Sequence, residues 1–221
     1  MFGILLVWKL HTGSMVVKGQ TPRAQRGEAT REALLAAGRN LFGTYGYAET
    51  SLDAVVAAAG VTKGALYHHF SGKEELFEAV FEQVKRELSA QIAPALQTYR
   101  REPGPEDPWN GIVEACRTYI EIHTDPAVER IVLRDARAVL SPDAWRRVDR
   151  EWGAVMFRGT FRRAINRGVM ARLPLNTLAM IVTGALAEAC LLVADAEDPE
   201  AARTETLSVV VRLLEGLRTP E

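Results

Sequence analysis

The sequence predicts an all-α protein made of an N-terminal three-helix domain with a helix-turn-helix and a larger C-terminal helical domain. Three observations support this fold class. Apolar residues recur at helical spacing along most of the chain. Glycines and prolines interrupt that pattern at intervals typical of helix lengths. No segment shows the alternation of apolar and polar residues that a half-buried strand requires.

The size and composition of the chain fit this architecture. Its 221 residues are enough for a small domain and a larger one. A hydrophobic content of 48% with 25% charged residues is near the globular average and predicts a packed core. The net charge of −1 does not by itself indicate a nucleic-acid partner. Residues 15–73, however, carry seven Lys or Arg against four Asp or Glu, a difference of +3 with the sign that phosphate contact requires.

Residues 1–27 are expected to be a tag remnant followed by a flexible basic arm. The apolar run Phe2–Trp8 is too short to span a bilayer. It also lacks the basic start and the small-residue cleavage site of a signal peptide. Gly13 and Ser14 before Met15 are typical of an expression vector, so residues 1–14 are set aside in the functional reasoning.

Local signals divide the next part of the chain into helices. The first helix is predicted at residues 28–45, with Gly46 as its C-terminal cap. Thr50 and Asp53 form a capping pair that opens the second helix, and Gly60 supplies the turn that follows it.

A short third helix and a long fourth helix follow. Thr62 can cap a helix at residues 63–70. The segment Ser71–Glu74 reads as a capping box that opens the fourth helix, and Pro94 predicts a break or kink within it.

The third helix has two faces of different chemistry. With about 3.6 residues per turn, the residues of this helix divide into an exposed face and a buried face. Lysine can donate to guanine acceptors or to phosphate, tyrosine and histidine can donate to phosphate, and glycine lets a backbone approach DNA closely. The exposed face holds Lys63, Gly64, Tyr67 and His68, and the buried face holds Leu66 and Phe70. This layout predicts a helix that enters the DNA major groove.

Residues from about Glu28 to Leu88 resemble the TetR family of bacterial transcriptional regulators. The matching strings are A-x-x-L-F-x-x-x-G-Y, loosely spaced from Ala37 to Tyr47, then TSLDAVVAAAGV from Thr50 and TKGALYHHF-x-x-KEEL from Thr62. The resemblance implies a DNA-binding domain at 28–88 with its helix-turn-helix at about 51–70. It also implies DNA contacts at Thr50, Thr62, Lys63, Gly64, Tyr67, His68, His69 and Lys73.

Residues 89–221 are predicted to form the C-terminal ligand-binding and dimerisation domain. The run REPGPEDP at 101–108 has the composition of a linker. Proline and glycine then delimit helices at about 109–124, 126–140, 143–167, 175–195 and 199–217.

The C-terminal domain shows no catalytic, phosphate-binding or metal-binding motif, so neither enzyme activity nor a cofactor is predicted. Its aromatic residues could form either plain core or the wall of a small-molecule pocket. If these residues form a pocket, its predicted lining residues are Trp109, Tyr119, His123, Arg134, Trp152, Met156 and Phe157. Arg134, Asp135 and Arg137 could line a polar end of that pocket or form surface ion pairs.

Cys116 and Cys190 lie in apolar helical surroundings without metal-ligand spacing. The expected reading is two free, buried thiols in a reducing cytoplasm. A redox switch between the two cysteines is the alternative.

The last two helices are expected to form the interface of a homodimer. The segment 175–195 is apolar enough to resemble a membrane helix, but Asn176, Thr183 and Glu188 argue against a membrane span. The family resemblance implies that helices at about 175–195 and 199–217 pair with their copies. Such a dimer would present two reading helices to half-sites about 34–36 Å apart on a palindromic operator.

The prediction is therefore a cytoplasmic homodimeric repressor that binds double-stranded operator DNA and is released by a small, largely apolar effector. One alternative is an all-α binding protein or enzyme whose N-terminal bundle no longer reads DNA. Another is an activator of the same fold. Replacing Tyr67 and Lys63 with alanine distinguishes a repressor from the first alternative. A repressor would lose operator binding, whereas a binding protein or enzyme would be unaffected.

Overall fold

The structure is a computed structural model that describes residues 22–101 and 108–219, with side chains described except at 22–23, 93–101 and 153–156. Every regular element within these residues is helical, apart from one isolated bridge between Met170 and Arg218. The all-α fold class is confirmed.

Helices in the N-terminal part are α1 (Pro22–Glu49), α2 (Leu52–Ala59), α3 (Lys63–His69) and α4 (Lys73–Arg101). Those in the C-terminal part are α5 (Pro108–His123), α6 (Pro126–Val128), α7 (Ala136–Val139), α8 (Pro142–Val148), α9 (Ala154–Asn166), α10 (Leu175–Ala194) and α11 (Pro199–Glu215). Two π-helical segments join some of them: π1 (Glu129–Asp135) and π2 (Asp149–Gly153).

Helices α1, α2 and α3 and the start of α4 pack around one apolar core. We call this group of helices the head. Its aromatic centre is Phe42, whose ring lies edge-on to Phe77 at 5.1 Å between centroids and stacked on Tyr47 at 5.9 Å. Val55 of α2 and Leu66 of α3 are both fully buried against this centre. The core therefore fixes the orientation of α3, because Leu66 can be buried only when the opposite face of the helix points outward.

Helix α1 begins at Pro22, six residues before the predicted start at 28, so the end of the predicted flexible arm is helical. Proline is well tolerated at a helix start because its missing N–H has no partner there. Near the other end, Gly46 has φ 82° and ψ 169°, which interrupts the helical geometry as the predicted glycine cap requires.

Two predicted caps are shifted by one residue. Ser51, not Thr50, caps α2, since its hydroxyl accepts from the Ala54 N–H at 3.1 Å. The Thr50 hydroxyl is buried and donates to the Gly46 carbonyl at 2.8 Å. The prediction of Thr50 as the cap was wrong because two adjacent hydroxyl residues compete for one position, and sequence spacing does not distinguish them.

The capping box before α4 is also shifted by one residue from its predicted position. Glu75, rather than the predicted Glu74, reaches back to accept from the Ser71 N–H at 2.7 Å. The break predicted at Pro94 does not occur either, because α4 continues to Arg101.

In the C-terminal part, α5 lies at the centre and packs against α4, α9, α10 and α11. The two predicted helices at 126–140 and 143–167 are each interrupted by a π-helical segment, giving α6–π1–α7 and α8–π2–α9. A π turn adds one residue per turn without disturbing the apolar pattern enough to be seen in the sequence.

Helices α10 and α11 pack together at the edge of this bundle. Of the described helices, α10 is the one long and apolar enough to cross a membrane, with a mean hydropathy of 2.0. Half of it is buried within the protein, and core helices of water-soluble proteins give the same signal.

Exposed apolar side chains on the α10–α11 pair, outside the residues that line the cavity, are Ile181, Leu192, Val209 and Leu213. Ile181 is 65% exposed and Leu213 is 69% exposed, so these side chains have no covering partner in a single chain. Exposed large apolar side chains grouped on two neighbouring helices are typical of an interaction surface.

Candidate nucleic-acid interface and ligand cavity

Helix α3 presents its polar face to solvent. Thr62 caps the helix by accepting from the Ala65 N–H at 3.2 Å. Leu66 is fully buried and Phe70 is 2% exposed, whereas Tyr67 is 51% exposed. The two-faced helix predicted from the sequence is therefore present, and four of the predicted DNA contacts lie on its outer face: Lys63, Gly64, Tyr67 and His68.

The Lys63 ammonium is engaged in a surface ion pair. It lies 2.7 Å from the Asp53 carboxylate at the first turn of α2, and that hydrogen bond raises the pKa of Lys63. Both side chains are largely exposed, so the pair contributes little stability and can open at low cost. Lys63 can therefore exchange Asp53 for a phosphate or a base edge.

Gly64 leaves open space on this face. A Cβ built at Gly64 would meet nothing closer than the Thr62 hydroxyl at 4.0 Å. The protein itself therefore does not require glycine here, and glycine costs a helix interior roughly 1 kcal/mol relative to alanine. Close approach of an external partner to the backbone would explain why this residue is glycine.

Three of the predicted DNA contacts are less available than expected. Thr50 is 3% exposed and its hydroxyl is already bonded to Gly46, so the predicted phosphate contact does not fit this side chain, and the exposed Ser51 is the nearest hydroxyl. His69 is only half-exposed. Lys73 donates to the Ala48 carbonyl at 3.1 Å and lies 4.3 Å above the Tyr47 ring, so it ties α4 to the end of α1.

A small cavity of about 70 Å³ lies where α4, α5, π1, α7, α8, π2 and α10 converge. This volume is below the roughly 300–1,000 Å³ typical of small-molecule sites, so a ligand of ordinary size would require the wall to open. The lining residues are Phe81, Lys85, Tyr119, Val132, Leu133, Arg137, Trp145, Asp149, Met180, Thr183, Gly184 and Ala187.

The predicted pocket residues are mostly elsewhere. Among the predicted pocket residues whose side chains the structure describes, Tyr119 alone lines this cavity. Trp109 is buried beneath the Arg218 guanidinium, and Phe157 stacks on Phe161 within the core. Aromatic residues at helical spacing fill the core here, and the sequence does not distinguish core aromatics from pocket aromatics.

Two further predicted pocket residues with described side chains, Arg134 and Trp152, also lie outside the wall. Arg134 forms surface ion pairs with Glu129 and Asp195, as the alternative reading expected. Trp152 is half-buried, and its indole N–H has no hydrogen-bond partner among the described residues. The side chain of Met156 lies outside the described residues.

His123 is buried behind the cavity wall. Its ring stacks on Tyr119 at 3.8 Å between centroids, and its Nδ1 lies 2.9 Å from the Tyr119 carbonyl. Burial, and then the nearby Lys85 charge, lower its pKa to about 3, so the ring is neutral at physiological pH. His123 therefore supports Tyr119 and does not act as a proton switch.

Both cysteines are free and buried, as predicted. Burial raises the pKa of Cys116 and of Cys190 to about 12. Thiols with such a pKa are largely unreactive, because the thiolate is the nucleophile.

The sequence analysis placed Arg137 at a polar end of the pocket or in a surface ion pair, and Arg137 does line the cavity, but the other two charged residues of the wall were missed. Lys85 lies on the apolar stripe of α4, four residues after Phe81, and Asp149 follows the buried Val148. Their ammonium and carboxylate groups are 2.9 Å apart, with side chains 5% and 12% exposed. A lysine within an apolar stripe was the signal available in the sequence, because lysine is almost never buried without a partner.

We expect Lys85→Met to lower the free energy of unfolding by about 3–5 kcal/mol, because it leaves Asp149 buried without its counter-ion. The double variant Lys85→Met/Asp149→Leu should recover most of that loss. Urea unfolding at one fixed protein concentration measures both values. Equal losses in the single and the double variant would contradict the buried ion pair.

The segment from α6 to π1 joins the cavity to the head. Val132 and Leu133 of π1 line the cavity. From the same segment, Asp135 accepts from the Tyr47 N–H at 2.7 Å, and the Arg130 guanidinium donates to the Thr44 carbonyl.

The approach of α6 to α1 is also close. A Cβ at Gly43 would lie 2.8 Å from the Ala127 Cβ, which real Cβ atoms do not tolerate. Gly43 is thus needed for this contact, and the end of α1 is held by direct packing as well as by hydrogen bonds.

Two family models match the N-terminal and the C-terminal part of the chain separately. The family model for bacterial regulatory proteins of the tetR family matches residues 34–80, and the model for the tetracyclin repressor-like C-terminal domain matches residues 109–217. The crystal structure of a TetR-family transcriptional regulator from Pectobacterium atrosepticum is 37% identical, covers 89% of this chain and 97% of its own, and superposes with a TM-score of 0.72.

Curated relatives match over shorter segments. The HTH-type transcriptional regulator SrpR of Pseudomonas putida is 34% identical over 92 residues, 42% of this chain and 40% of SrpR. The regulator AcrR of Shigella flexneri is 41% identical over 58 residues, 26% of this chain and 27% of AcrR. The match therefore spans less than half the length of these two relatives.

Proposed function

The chain belongs to the TetR family of bacterial transcriptional regulators, and on this basis we propose that it is a homodimeric repressor released from a palindromic operator by a small-molecule effector. The observation that carries the proposal is the outer face of α3. It combines a lysine, a glycine, a tyrosine and a histidine on a helix whose other face is locked into the head core.

The proposed role of α3 is to read the major groove. Tyr67 and His68 would donate to phosphate oxygens and set the position of the helix along the duplex. Lys63, after leaving Asp53, would reach a guanine or a phosphate, and Gly64 would allow the helix backbone to come close to the bases. Thr62 and Ser51 would place helix N-termini near phosphates.

The proposed dimer forms through the exposed apolar side chains of α10 and α11. The two copies of these side chains would pair around a two-fold axis, since each protomer presents the same surface. The two α3 helices would then face half-sites about 34–36 Å apart. Such a protein acts without a membrane, and cytoplasmic localisation follows from its DNA target.

The proposed release mechanism uses the segment from α6 to π1. A ligand in the cavity would press on Val132 and Leu133, and the shift would pass through Asp135 and Arg130 to the end of α1. Helix α2 begins only three residues after α1 ends, so a displacement there changes the spacing of the two α3 helices. The effect is limited to the difference in ligand affinity between the two states.

We expect Asp135→Ala to weaken the response to ligand, because it removes the acceptor of the Tyr47 N–H. The factor by which a cavity ligand lowers operator affinity, typically about 5–150 in allosteric proteins, should approach one. Tryptophan fluorescence can identify the cavity ligand, and fluorescence anisotropy of labelled operator then measures the response. Asp143→Ala is the matched control, because the ion pair of Asp143 among the described residues is with Arg146 and is exposed. An unchanged response in Asp135→Ala would refute this route.

The experiment that tests the proposed function is selection of bound fragments from the source genome by the purified protein, followed by a salt titration. A repressor should enrich a palindromic sequence, with an affinity that falls steeply with salt. The variant Lys63→Ala/Tyr67→Ala should lose roughly tenfold or more in affinity and reduce the salt slope by about one. Arg167→Ala, which removes an exposed charge at the end of α9, should bind as the unmodified protein does.

Two outcomes would redirect the proposal. If no fragment is enriched and the double variant behaves as the unmodified protein, the alternative of an all-α binding protein or enzyme is favoured. If the operator is bound but a promoter reporter rises with the protein, the chain is an activator.

A further inference from the structure

The charges around the cavity do not cancel. Its wall carries two cationic side chains, Lys85 and Arg137, and one anionic side chain, Asp149. Lys85 and Asp149 neutralise each other at 2.9 Å. Arg137 remains as an uncompensated positive charge on the wall.

Arg137 has no acidic partner among the described residues. Its recorded contact is with the Trp145 ring, where the guanidinium carbon lies 5.6 Å from the ring centroid. Trp145 lines the same cavity, so this contact holds the guanidinium beside the opening while leaving its N–H donors available. Arginine offers a planar fork of donors that matches a carboxylate.

Tyr119 adds a second polar group to the same wall. Its side chain is 1% exposed, and burial raises the pKa of its hydroxyl well above 10, so the group stays a neutral O–H. Tyr119, Arg137 and Asp149 all line this cavity, so the three side chains border the same space. A neutral phenol beside a guanidinium is a suitable pair of donors for an anion.

The rest of the wall is apolar and partly aromatic. Phe81 and Trp145 supply flat surfaces, and Val132, Leu133 and Met180 supply aliphatic ones. The remaining hydroxyl, that of Thr183, already donates to the Ala179 carbonyl at 2.7 Å. The body of a ligand would therefore be buried against apolar surface, with polar recognition confined to the end near Arg137.

We propose that the effector of this protein is a small monocarboxylate with an aromatic or aliphatic body, its carboxylate paired with Arg137 and its body packed between Phe81 and Trp145. This inference rests on the proposed function, in which the cavity is the effector site. It changes the sequence-based expectation of a largely apolar ligand, because it adds one obligatory negative charge.

The test compares matched acids and amides. The probes are benzoate, phenylacetate and 1-naphthoate, each against its carboxamide, with binding to the full chain measured by isothermal titration calorimetry. At least one carboxylate should bind three- to tenfold more tightly than its amide, a modest factor because Arg137 lies at the exposed rim. Arg137→Met should bring acid and amide to equal affinity, and Arg167→Met should preserve the preference.

The outcomes separate this inference from the proposed function. If every amide binds as tightly as its acid, or no carboxylate binds below about 10 mM, the inference is wrong. If a neutral or cationic compound occupies the cavity and releases the operator, the inference is wrong while the proposed function stands. If the carboxylate preference and its loss in Arg137→Met are observed without any change in operator binding, the inference stands and effector-controlled release fails.

Discussion

Replacing Gly64 with leucine should abolish operator binding while making the protein more stable. The Cβ of a new side chain at this position would lie in open space, with the nearest protein atom 4.0 Å away. Leucine is favoured over glycine in a helix, and Gly64 lies in the first turn of α3, so the free energy of unfolding should rise by at most about 0.5–1 kcal/mol. On DNA, the same side chain would hold the α3 backbone away from the bases, and we expect a loss of about a hundredfold or more in operator affinity.

The opposite signs of the two effects make this prediction discriminating. Most substitutions that impair binding also impair folding, so loss of binding alone is ambiguous. Thermal unfolding and fluorescence anisotropy with labelled operator would be measured on the same preparation. A stabilised protein that still binds its operator within threefold would show that close approach at Gly64 is not used.

Gly159→Leu is the matched control. Gly159 is an exposed glycine within α9, and a Cβ there would also meet nothing within 4 Å. The control should gain a similar increment of stability from helix propensity, roughly 0.5–1 kcal/mol. Because α9 belongs to the C-terminal part, operator affinity should not change.

The head could be predicted from the sequence because its signals are local. The spacing of Leu66 and Phe70 fixes which face of α3 is buried. Gly46 interrupts the helical geometry within α1, and Gly60 caps the end of α2. Both glycines have positive φ, of 82° and 65°, which is the conformation their positions require. The start of α1 was predicted six residues too late, and two helix caps were predicted one residue away from their positions. Thr50 and Ser51 offer equivalent hydroxyls, and only packing decides between them.

The cavity could not be predicted, because its wall is assembled from residues far apart in the chain. Lys85 and Asp149 are separated by 64 positions, and each becomes meaningful only when α4 packs beside π2. The aromatic residues selected from the sequence, such as Trp109 and Phe157, share helical spacing with the true lining residues but face the core. Periodicity identifies a buried face without showing whether protein or ligand covers it.

The π-helical segments connect these two parts of the molecule. π1 contributes cavity residues and also contacts the end of α1 through Asp135, so one short element touches both the proposed ligand site and the head. π turns occur frequently at functional sites, because the extra residue redirects side chains within an otherwise regular helix. The sequence pattern of 126–140 is that of an ordinary helix, which is why this junction was not predicted.

Replacing Ile181 with aspartate should convert the proposed dimer into a monomer and thereby weaken operator binding by about a hundredfold or more, since two linked half-site contacts become one. Ile181 is 65% exposed in the single chain and is one of the exposed apolar side chains of α10 and α11, as is Leu213. Its side chain is not part of the core, so folding of the protomer should be preserved. A carboxylate in the middle of a two-fold interface would face its own copy across an apolar surface, which adds charge repulsion to the cost of burying a charge.

Sedimentation velocity measures the change in mass, and anisotropy with labelled operator measures the loss of affinity. Ala90→Asp places the same charge on an exposed position of α4, outside α10 and α11, and it should leave both mass and affinity unchanged. Ile181→Ala removes apolar area without adding charge, so it should weaken the dimer less than the aspartate does. A dimer that persists in Ile181→Asp would place the interface elsewhere, whereas a monomer with full operator affinity would show that reading DNA does not depend on pairing α10 and α11.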